Sequence, residues 1–259
     1  MLNLSELTDK VRALAIEAGD FIREERKKFH REAIEKKHAH DYVSYVDKES
    51  EKKIVTRLKE LLPEAGFIAE EGSGTLNDEQ YCWLVDPLDG TTNFIHDNAP
   101  YCVSIALRSK KELLLGVVYE ICRNECFWTY KGAPSYLNGN EIHVSAISNL
   151  DDSFIALGFP YATEEYKPMA NHLVNTLYGN VAGLRLMGAA AVELCYIAAG
   201  RFEARIEAFI GPWDIAAGTI ILQNAGGMIT DFKGGDSYSS GSQVLASNGR
   251  IHRDLLNII

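Results

Sequence analysis

Apolar residues recur at helical spacing near the start of the chain, at Leu4, Leu7, Val11, Leu14, Ala18 and Phe21. That period predicts an amphipathic helix from Leu4 to about Lys28 with one face on a core. A second helix is predicted from about Lys48 to Leu62, stopped before Pro63, and Asp41 to Val46 between the two reads as a short extended segment. Cys82 to Val85 is a short apolar strand that ends at Asp86-Pro87. Tyr101 to Leu107, Leu113 to Glu120 and Glu125 to Tyr130 are β-prone runs with short polar connections, the pattern of an antiparallel meander. Gly132, Pro134, Asn138 and Gly139 then break the chain.

The rhythm changes in the second half. Ser153 to Leu157 and Phe202 to Ile206 are strand-like, and between them Met187 to Ala199 is an Ala-rich helix stopped by Gly200. Asp214 to Asn224 is helical and stopped by Gly226-Gly227, with strands expected at Met228 to Asp231 and Val244 to Ala246. The reading is a mixed α/β chain with a subdomain boundary near 140–150, dividing it into 1–145 and 146–259. No internal repeat interrupts it.

Composition agrees with one globular unit of two subdomains: 259 residues, 46% hydrophobic and 24% charged. Acidic residues outnumber basic ones by 36 to 26, and the net charge of -10 opposes non-specific binding to nucleic acid or an anionic membrane. The one basic stretch, Arg23 to Lys37, is interleaved with Glu24, Glu25, Glu32 and Glu35 and reads as a solvated helix face. Five cysteines, an odd number without a C-x-x-C pair, point to reduced thiols and a cytoplasmic protein. The N-terminus lacks the pattern of a signal peptide, and no apolar run reaches membrane-spanning length. His38 and His40, at strand-like spacing on a polar segment, read as surface rather than as a transition-metal site.

The richest chemistry lies in Trp83-Leu84-Val85-Asp86-Pro87-Leu88-Asp89-Gly90-Thr91-Thr92-Asn93-Phe94. Apolar residues drive a strand into the core, and its end delivers two carboxylates. Standing alone, D-x-x-D-G also reads as an Asp-Gly turn capped by Asp86. Two carboxylates at the end of a buried strand repel and desolvate each other, however, and a divalent cation makes both ionised forms tolerable. Oxygen-only ligands favour magnesium, manganese or calcium over zinc. Gly90, Thr91 and Thr92 add N–H groups and hydroxyls that would face an anion if a helix starts there. Glu70-Glu71 closes a short apolar run and Asp214 opens a helix after Gly211-Pro212-Trp213, so both are candidate partners. Each also has a plain reading: a solvated loop for Glu70-Glu71, and an N-cap for Asp214 and for Asp47.

Taken together, the motifs resemble the inositol monophosphatase family of magnesium-dependent, lithium-sensitive phosphatases. The similarity runs through Asp41-x-Val43-Ser44-x-x-Asp47, Phe67-Ile68-Ala69-Glu70-Glu71, the Asp86 to Phe94 block and Gly158-Phe159-Pro160. It continues through Arg185-x-x-Gly188-x-Ala190-Ala191 and Trp213-Asp214-x-Ala216-Ala217-Gly218 to Ala225-Gly226-Gly227. The resemblance implies a layered αβαβα sandwich with the metal site between the halves. Glu70, Asp86 and the Leu88 carbonyl would hold one Mg²⁺, Asp86, Asp89 and Asp214 a second, and a third would share Glu70. Paired metals of this kind promote in-line attack on phosphorus by a metal-activated water, with Glu70 or the Thr91–Asp47 pair taking its proton and no covalent phosphoenzyme. Gly90, Thr91, Thr92, Gly188, Ala190 and Glu207 would bind the substrate, Glu207 by accepting hydrogen bonds from hydroxyls of a small phosphorylated polyol, myo-inositol monophosphate foremost. From residues alone, Glu207 reads as an exposed glutamate just past a strand. The family also implies a homodimer.

Ala189 departs from the resemblance, standing where a serine or threonine is common. Rival substrates on the same fold are fructose 1,6-bisphosphate, 3′-phosphoadenosine 5′-phosphate, histidinol phosphate and NADP. Nucleotide phosphatases of this fold would carry a lysine after the first threonine, where this chain has Thr92. A non-enzymatic alternative is a regulatory relative with a protein partner, since some bacterial relatives bind transcription machinery. A haloacid-dehalogenase reading of Leu88-Asp89-Gly90-Thr91 fails because its nucleophile position holds Pro87, and an EF-hand lacks its alternating oxygen ligands.

Overall fold

The computed structural model describes residues 2–38, 41–74, 79–110, 112–159 and 163–259. Helix α1 (Leu4–Lys28) has the bounds that its apolar period predicts. Asn3 caps it by accepting from the Glu6 N–H, and Arg26, Lys27 and Lys28 fill the last turn, where positive charge suits the helix dipole. A short antiparallel pair, β1 (Ile34–His38) and β2 (Asp41–Ser44), leads into α2 (Tyr45–Leu61). This helix starts before the expected Lys48 because Ser44 caps it and Asp47 reaches back to the Ser44 N–H. The His38–His40 pair and Pro160 reach outside the described residues.

Next come β3 (Gly66–Ala69), β4 (Tyr81–Asp89), the short helix α3 (Thr91–Ile95) and the strands β5 (Cys102–Ser109), β6 (Glu112–Glu120) and β7 (Glu125–Tyr130). With β8 (Ser135–Leu137) and β9 (Asn140–Ile142) these strands form a seven-stranded sheet in chain order. Only the β3–β4 pairing is parallel, so β5 to β7 is the meander read from the sequence. Two details differ from that reading. Strand β4 does not end at Asp86-Pro87 but continues to Asp89 across a register irregularity between Asp86 and Asp89. Such an irregularity is where a sheet tolerates proline and re-aims side chains. The stretch expected to break the chain holds the β8–β9 hairpin, turned by Asn138-Gly139 with φ of 49° and 86°, the Asn-Gly conformation that suits strand twist.

The second half supplies β10 (Phe154–Gly158), α4 (Thr163–Leu177), β11 (Gly183–Arg185), α5 (Ala190–Ala198), β12 (Ala204–Ala208), α6 (Pro212–Asn224), β13 (Met228–Thr230), β14 (Gln243–Ser247) and α7 (His252–Leu256). Its sheet has the order β11-β10-β12-β14-β13. Helix α5 starts after the expected Met187, because Gly188 at φ 76° and an extended Ala189 precede it. Helix α6 starts at Pro212, which makes Asp214 its third residue rather than its cap.

Burial explains the layering. Strand β4 sends Trp83 and Val85 into a core shared with Val11, Leu14, Ile54 and Leu58 of α1 and α2, and Leu84 into a second core with α5 and α6. A strand buried on both faces reads as a continuous apolar run, which Cys82 to Val85 does. The second core reaches Val244 and Ala246 of β14, and a third joins Leu157, Ile206 and Leu245 to Leu173 and Leu177 of α4 and Leu255 of α7. Helices, sheet, helices, sheet, helices is the αβαβα order. Gly116 lets α6 lie close on β6, since a Cβ there would sit 2.6 Å from Ile220 Cγ2 and 2.7 Å from the Ala217 carbonyl. No helix among the described residues is long and apolar enough to cross a membrane.

Candidate active site

Strand β4 delivers Asp86 and Asp89, both buried, to a cavity of about 460 Å³. Asp86 Oδ1 accepts the Leu88 N–H at 3.0 Å. Asp89 accepts the N–H groups of Ala190 at 3.0 Å and Ala191 at 2.8 Å, so it faces the positive end of α5. From the first turn of α6, Asp214 accepts the Gly211 N–H at 2.7 Å. Glu70 follows β3, and its N–H donates to the Val85 carbonyl at 3.2 Å. Glu51 of α2 fixes the turn beyond it by accepting the N–H groups of Glu71 at 2.7 Å and Ser73 at 2.9 Å.

Burial pushes the Asp86 carboxyl well above the usual carboxylate range, and the charges of Glu70, Asp89 and Asp214 push the same way. Asp214 rises for the same reasons, burial first and then Glu70 and Asp89. Asp89 is pushed up to about 6 by burial, against the opposing pull of the Ala191 N–H, the Arg205 charge and the Ala190 N–H. Asp86 and Asp214 also act on each other, so the ionised form of both together is unfavourable without a compensating positive charge. Among the described residues, no three His, Cys, Asp or Glu side chains stand in a ready-made metal-binding arrangement. The donor set nevertheless fits a hard divalent cation: it is all oxygen, buried at Asp86 and Asp89 and mutually repelling, and a cation would relieve that repulsion. Glu70, Asp86, Asp89, Asp214 and the Leu88 carbonyl are the groups that could hold one.

Thr91 opens α3 beside them. Its single hydroxyl proton has two acceptors, Asp47 Oδ1 at 2.9 Å and the Leu88 carbonyl at 3.1 Å; the shorter, charge-assisted contact is the stronger. Asp47 Oδ2 accepts the Ser44 N–H at 2.8 Å and the Ser44 hydroxyl at 2.6 Å. Asp47 is therefore both the capping residue that a plain reading allows and the partner of Thr91. Burial raises its pKa despite the Ser44 and Thr91 hydrogen bonds. Gly90 holds φ 89°, and a Cβ there would meet the Pro100 carbonyl at 2.9 Å, so the turn between Asp89 and Thr91 requires glycine.

Gly90, Thr92, Gly188, Ala190 and Glu207 line the same cavity as Glu70, Asp86, Leu88, Asp89, Thr91 and Asp214. Asp47 alone of the candidates stands behind the wall, reached through Thr91. Glu207 is not past its strand, as the sequence suggested, but inside β12, paired with Arg205. These two residues lie on one face of the strand by its two-residue period. Arg205 Nη2 donates to Glu207 Oε2, and Nε donates to Glu193 Oε2 at 2.5 Å. Burial opposes the Arg205 charge, but Glu207 and Glu193 outweigh it and hold the guanidinium above its ordinary pKa. Glu193 also accepts the Met187 N–H at 2.9 Å, and Asn93 Nδ2 reaches the carbonyls of Met187 at 2.7 Å and Pro100 at 2.8 Å. The loop that holds Asp89 is thus tied to the far end of the cleft.

Arg205, Glu193 and Asn93 were not singled out from the sequence. A signal existed for the first two: a lone Glu in the apolar helix of Ala190 to Ala198, and a lone Arg in an apolar strand, are charges that demand buried partners. Phe209, also on the cavity wall, was missed for a different reason. It holds φ 60°, a backbone state that costs a bulky residue about 1–3 kcal/mol and that no residue pattern discloses.

A model of the inositol monophosphatase family matches residues 3–259. Nus factor SuhB of Pasteurella multocida (strain Pm70) is 39% identical over 225 residues, which are 86% of this chain and 84% of that protein. The crystal structure of extragenic suppressor protein suhB from Bartonella henselae matches with a TM-score of 0.89 and 33% identity, over 95% of each chain. Inositol monophosphatase from Anabaena (Nostoc) sp. PCC 7120 matches with a TM-score of 0.89 and 31% identity, over 99% of this chain and 96% of that one.

Proposed function

The chain belongs to the inositol monophosphatase family, and from that premise we propose that it hydrolyses the phosphate monoester of a small polyol, myo-inositol monophosphate foremost, with Mg²⁺. The observation that carries this reading is the meeting of Asp86, Asp89, Asp214 and Glu70 in one cavity with Thr91, whose hydroxyl donates to Asp47 behind the wall. Two or three ions would be held by Glu70, Asp86, the Leu88 carbonyl, Asp89 and Asp214. The chemistry they supply when bound is charge neutralisation at the phosphoryl oxygens and a lowered pKa for water.

The rest falls to the chain. Thr91 donates its proton to Asp47, which leaves its oxygen lone pairs to accept a proton from an attacking water. Asp47, its pKa raised by burial, is suited to take up the Thr91 proton as that one arrives. No side chain caps α3, and the N–H groups of its first turn, at Thr91 and Thr92, remain for a phosphate oxygen. Glu207 stands at the far end for the leaving alcohol, with one carboxylate oxygen already held by Arg205. Phosphate release from myo-inositol 1-phosphate is expected to require Mg²⁺ and to fall with Li⁺. No Mg²⁺-dependent release from any ester in a panel of sugar, polyol and nucleoside phosphates, by folded protein, would overturn the proposal.

A second reading rests on the relatives called Nus factor SuhB, whose name describes something other than a phosphatase. On that reading the chain also has a protein partner, and a homodimer is expected under either. A variant without turnover that still replaces the wild type in the cell would favour the partner role.

A further inference from the structure

Phe209 lies two residues beyond Glu207 and lines the same cavity. Among the described residues it is the only aromatic one at positive φ. Strained backbone persists where its surroundings over-determine it and clusters at ligand sites, and Phe209 at such a position is 63% exposed. Leu186, on the cavity wall contributed by the loop before α5, is 61% exposed, and Phe159 adds a third apolar group to that wall. Tyr166 packs against Phe209, ring centroids 6.0 Å apart at 45°. The rim of this acidic cavity therefore displays an aromatic group that is held at positive φ and left mostly exposed.

We propose that Phe209, with Leu186, is a specificity platform that packs against a flat aromatic ring carried by the alcohol half of the substrate. This rests on the phosphatase reading above and narrows its substrate class. The lining supports it: Asp86 and Thr91 on the proposed phosphate side, the Glu207 carboxylate and the apolar side chains of Phe209 and Leu186 all border one cavity. A ribonucleoside monophosphate offers one group for each of these: a phosphate, a hydroxylated ring and a flat base. An aryl phosphate offers the same ring directly on the ester oxygen. Base–aromatic stacking is tolerant of ring identity and strong enough to set substrate preference.

The test compares kcat/KM for adenosine 3′-monophosphate and 1-naphthyl phosphate with that for glycerol 2-phosphate, in wild type, Phe209→Gly and Phe209→Asn. Both substitutes accept positive φ, so the folded protein should melt no lower than wild type. The ratio for at least one aromatic ester is expected to fall about tenfold or more in both variants. A fall in the nucleotide arm places the ring one sugar away from phosphorus, and a fall in the naphthyl arm places it at the ester. Ratios that stay within twofold, a common loss on all three esters, or a loss that accompanies conversion of an oligomer to a monomer would each overturn the proposal. The last would show that a second copy of the chain covers Phe209. Absence of Mg²⁺-dependent turnover on every ester would remove the phosphatase reading, and this inference with it; turnover indifferent to Phe209 would remove this inference alone.

Discussion

At one end of the cleft Asp86 and Asp89 are buried beside the half-buried Asp214, with no ion pair to any of the three among the described residues, whereas at the other Glu193 and Glu207 flank the Arg205 guanidinium. Arg205 is the only basic residue that lines the cavity among the described residues. Both ends bury acid, but only one neutralises it from within the chain. The compensated end holds its charges within the fold, through Arg205 Nε and Nη2, and is proposed to recognise the alcohol half of the substrate. The uncompensated end keeps its acids above their ordinary pKa and needs something from outside, which is the physical mark of an ion site.

Asp86→Asn tests the uncompensated end and should have the largest effect. An amide removes the charge shared by the proposed ions, and turnover should fall by at least about a hundredfold. Freed of the repulsion from Glu70 and Asp214, the variant without metal should melt no lower than wild type. Retained Mg²⁺-dependent activity within a few-fold of wild type would break the two-metal assignment. The pH dependence sharpens the same point. With its folded pKa raised from 3.8 to about 6, Asp89 contributes stability to chelated protein that is complete below 3.8 and lost as pH rises through about 6. The rise in Tm on adding Mg²⁺ should therefore be larger at about pH 7.5 than at about pH 5. An equal rise at both would show that these carboxyls do not meet the ion.

Arg205→Met tests the compensated end. Removing the cation leaves the buried Glu193 and the half-buried Glu207 without it, and breaking such a group costs roughly 3–5 kcal/mol. Urea unfolding should show that loss, and adding Glu193→Gln should recover part of it. If Arg205→Met unfolds at the wild-type urea concentration, the triad does not hold the far end together. A smaller effect belongs to the hydroxyl that joins the site to α2. Thr91→Ala should lower kcat by about a hundredfold with little change in KM, because its proposed task is to orient a water rather than to hold substrate. An effect confined to KM would make Thr91 a phosphate ligand only.

The same contrast explains what the sequence could disclose. Helix α1, the β5 to β7 meander and the Asp86–Asp89 delivery were legible because local period and turn chemistry act within a few residues. The candidates for the acidic end stood in motifs, and the structure brings all of them except Asp47 to one cavity wall. The far end was less legible because its logic is tertiary. Arg205 and Glu193 explain each other only once β12 lies beside α5, and Glu207 reads as an ordinary surface acid until Arg205 is seen next to it. Helix α4 was missed because Pro168 interrupts its pattern, although Met169, Leu173 and Leu177 lie in or against the third core. The early start of α2 was missed because Asp47 was weighed as a cap, when Ser44 is the cap and Asp47 completes the capping box.

Glu207→Gln should have the smallest effect on a polyol ester and tests whether the compensated end also recognises substrate. Glutamine keeps an oxygen for the Arg205 hydrogen bond, so the strand and the Glu193 pairing should survive. What it loses is the charge behind any bond that a substrate hydroxyl donates to the other oxygen, and hydrogen bonds to charged groups contribute roughly 1.5–3 kcal/mol. Because Arg205 already holds one carboxylate oxygen, Glu207 has room for one strong hydroxyl contact rather than two. The kcat/KM for inositol 1-phosphate should then fall by about tenfold, the lower part of that range. For p-nitrophenyl phosphate, which carries no hydroxyl to donate, kcat/KM should change by less than about twofold. Equal losses on the two substrates would mean that Glu207 acts through Arg205 and Glu193 on the loop that holds Asp89. The two ends of the cleft would then be one electrostatic unit rather than two.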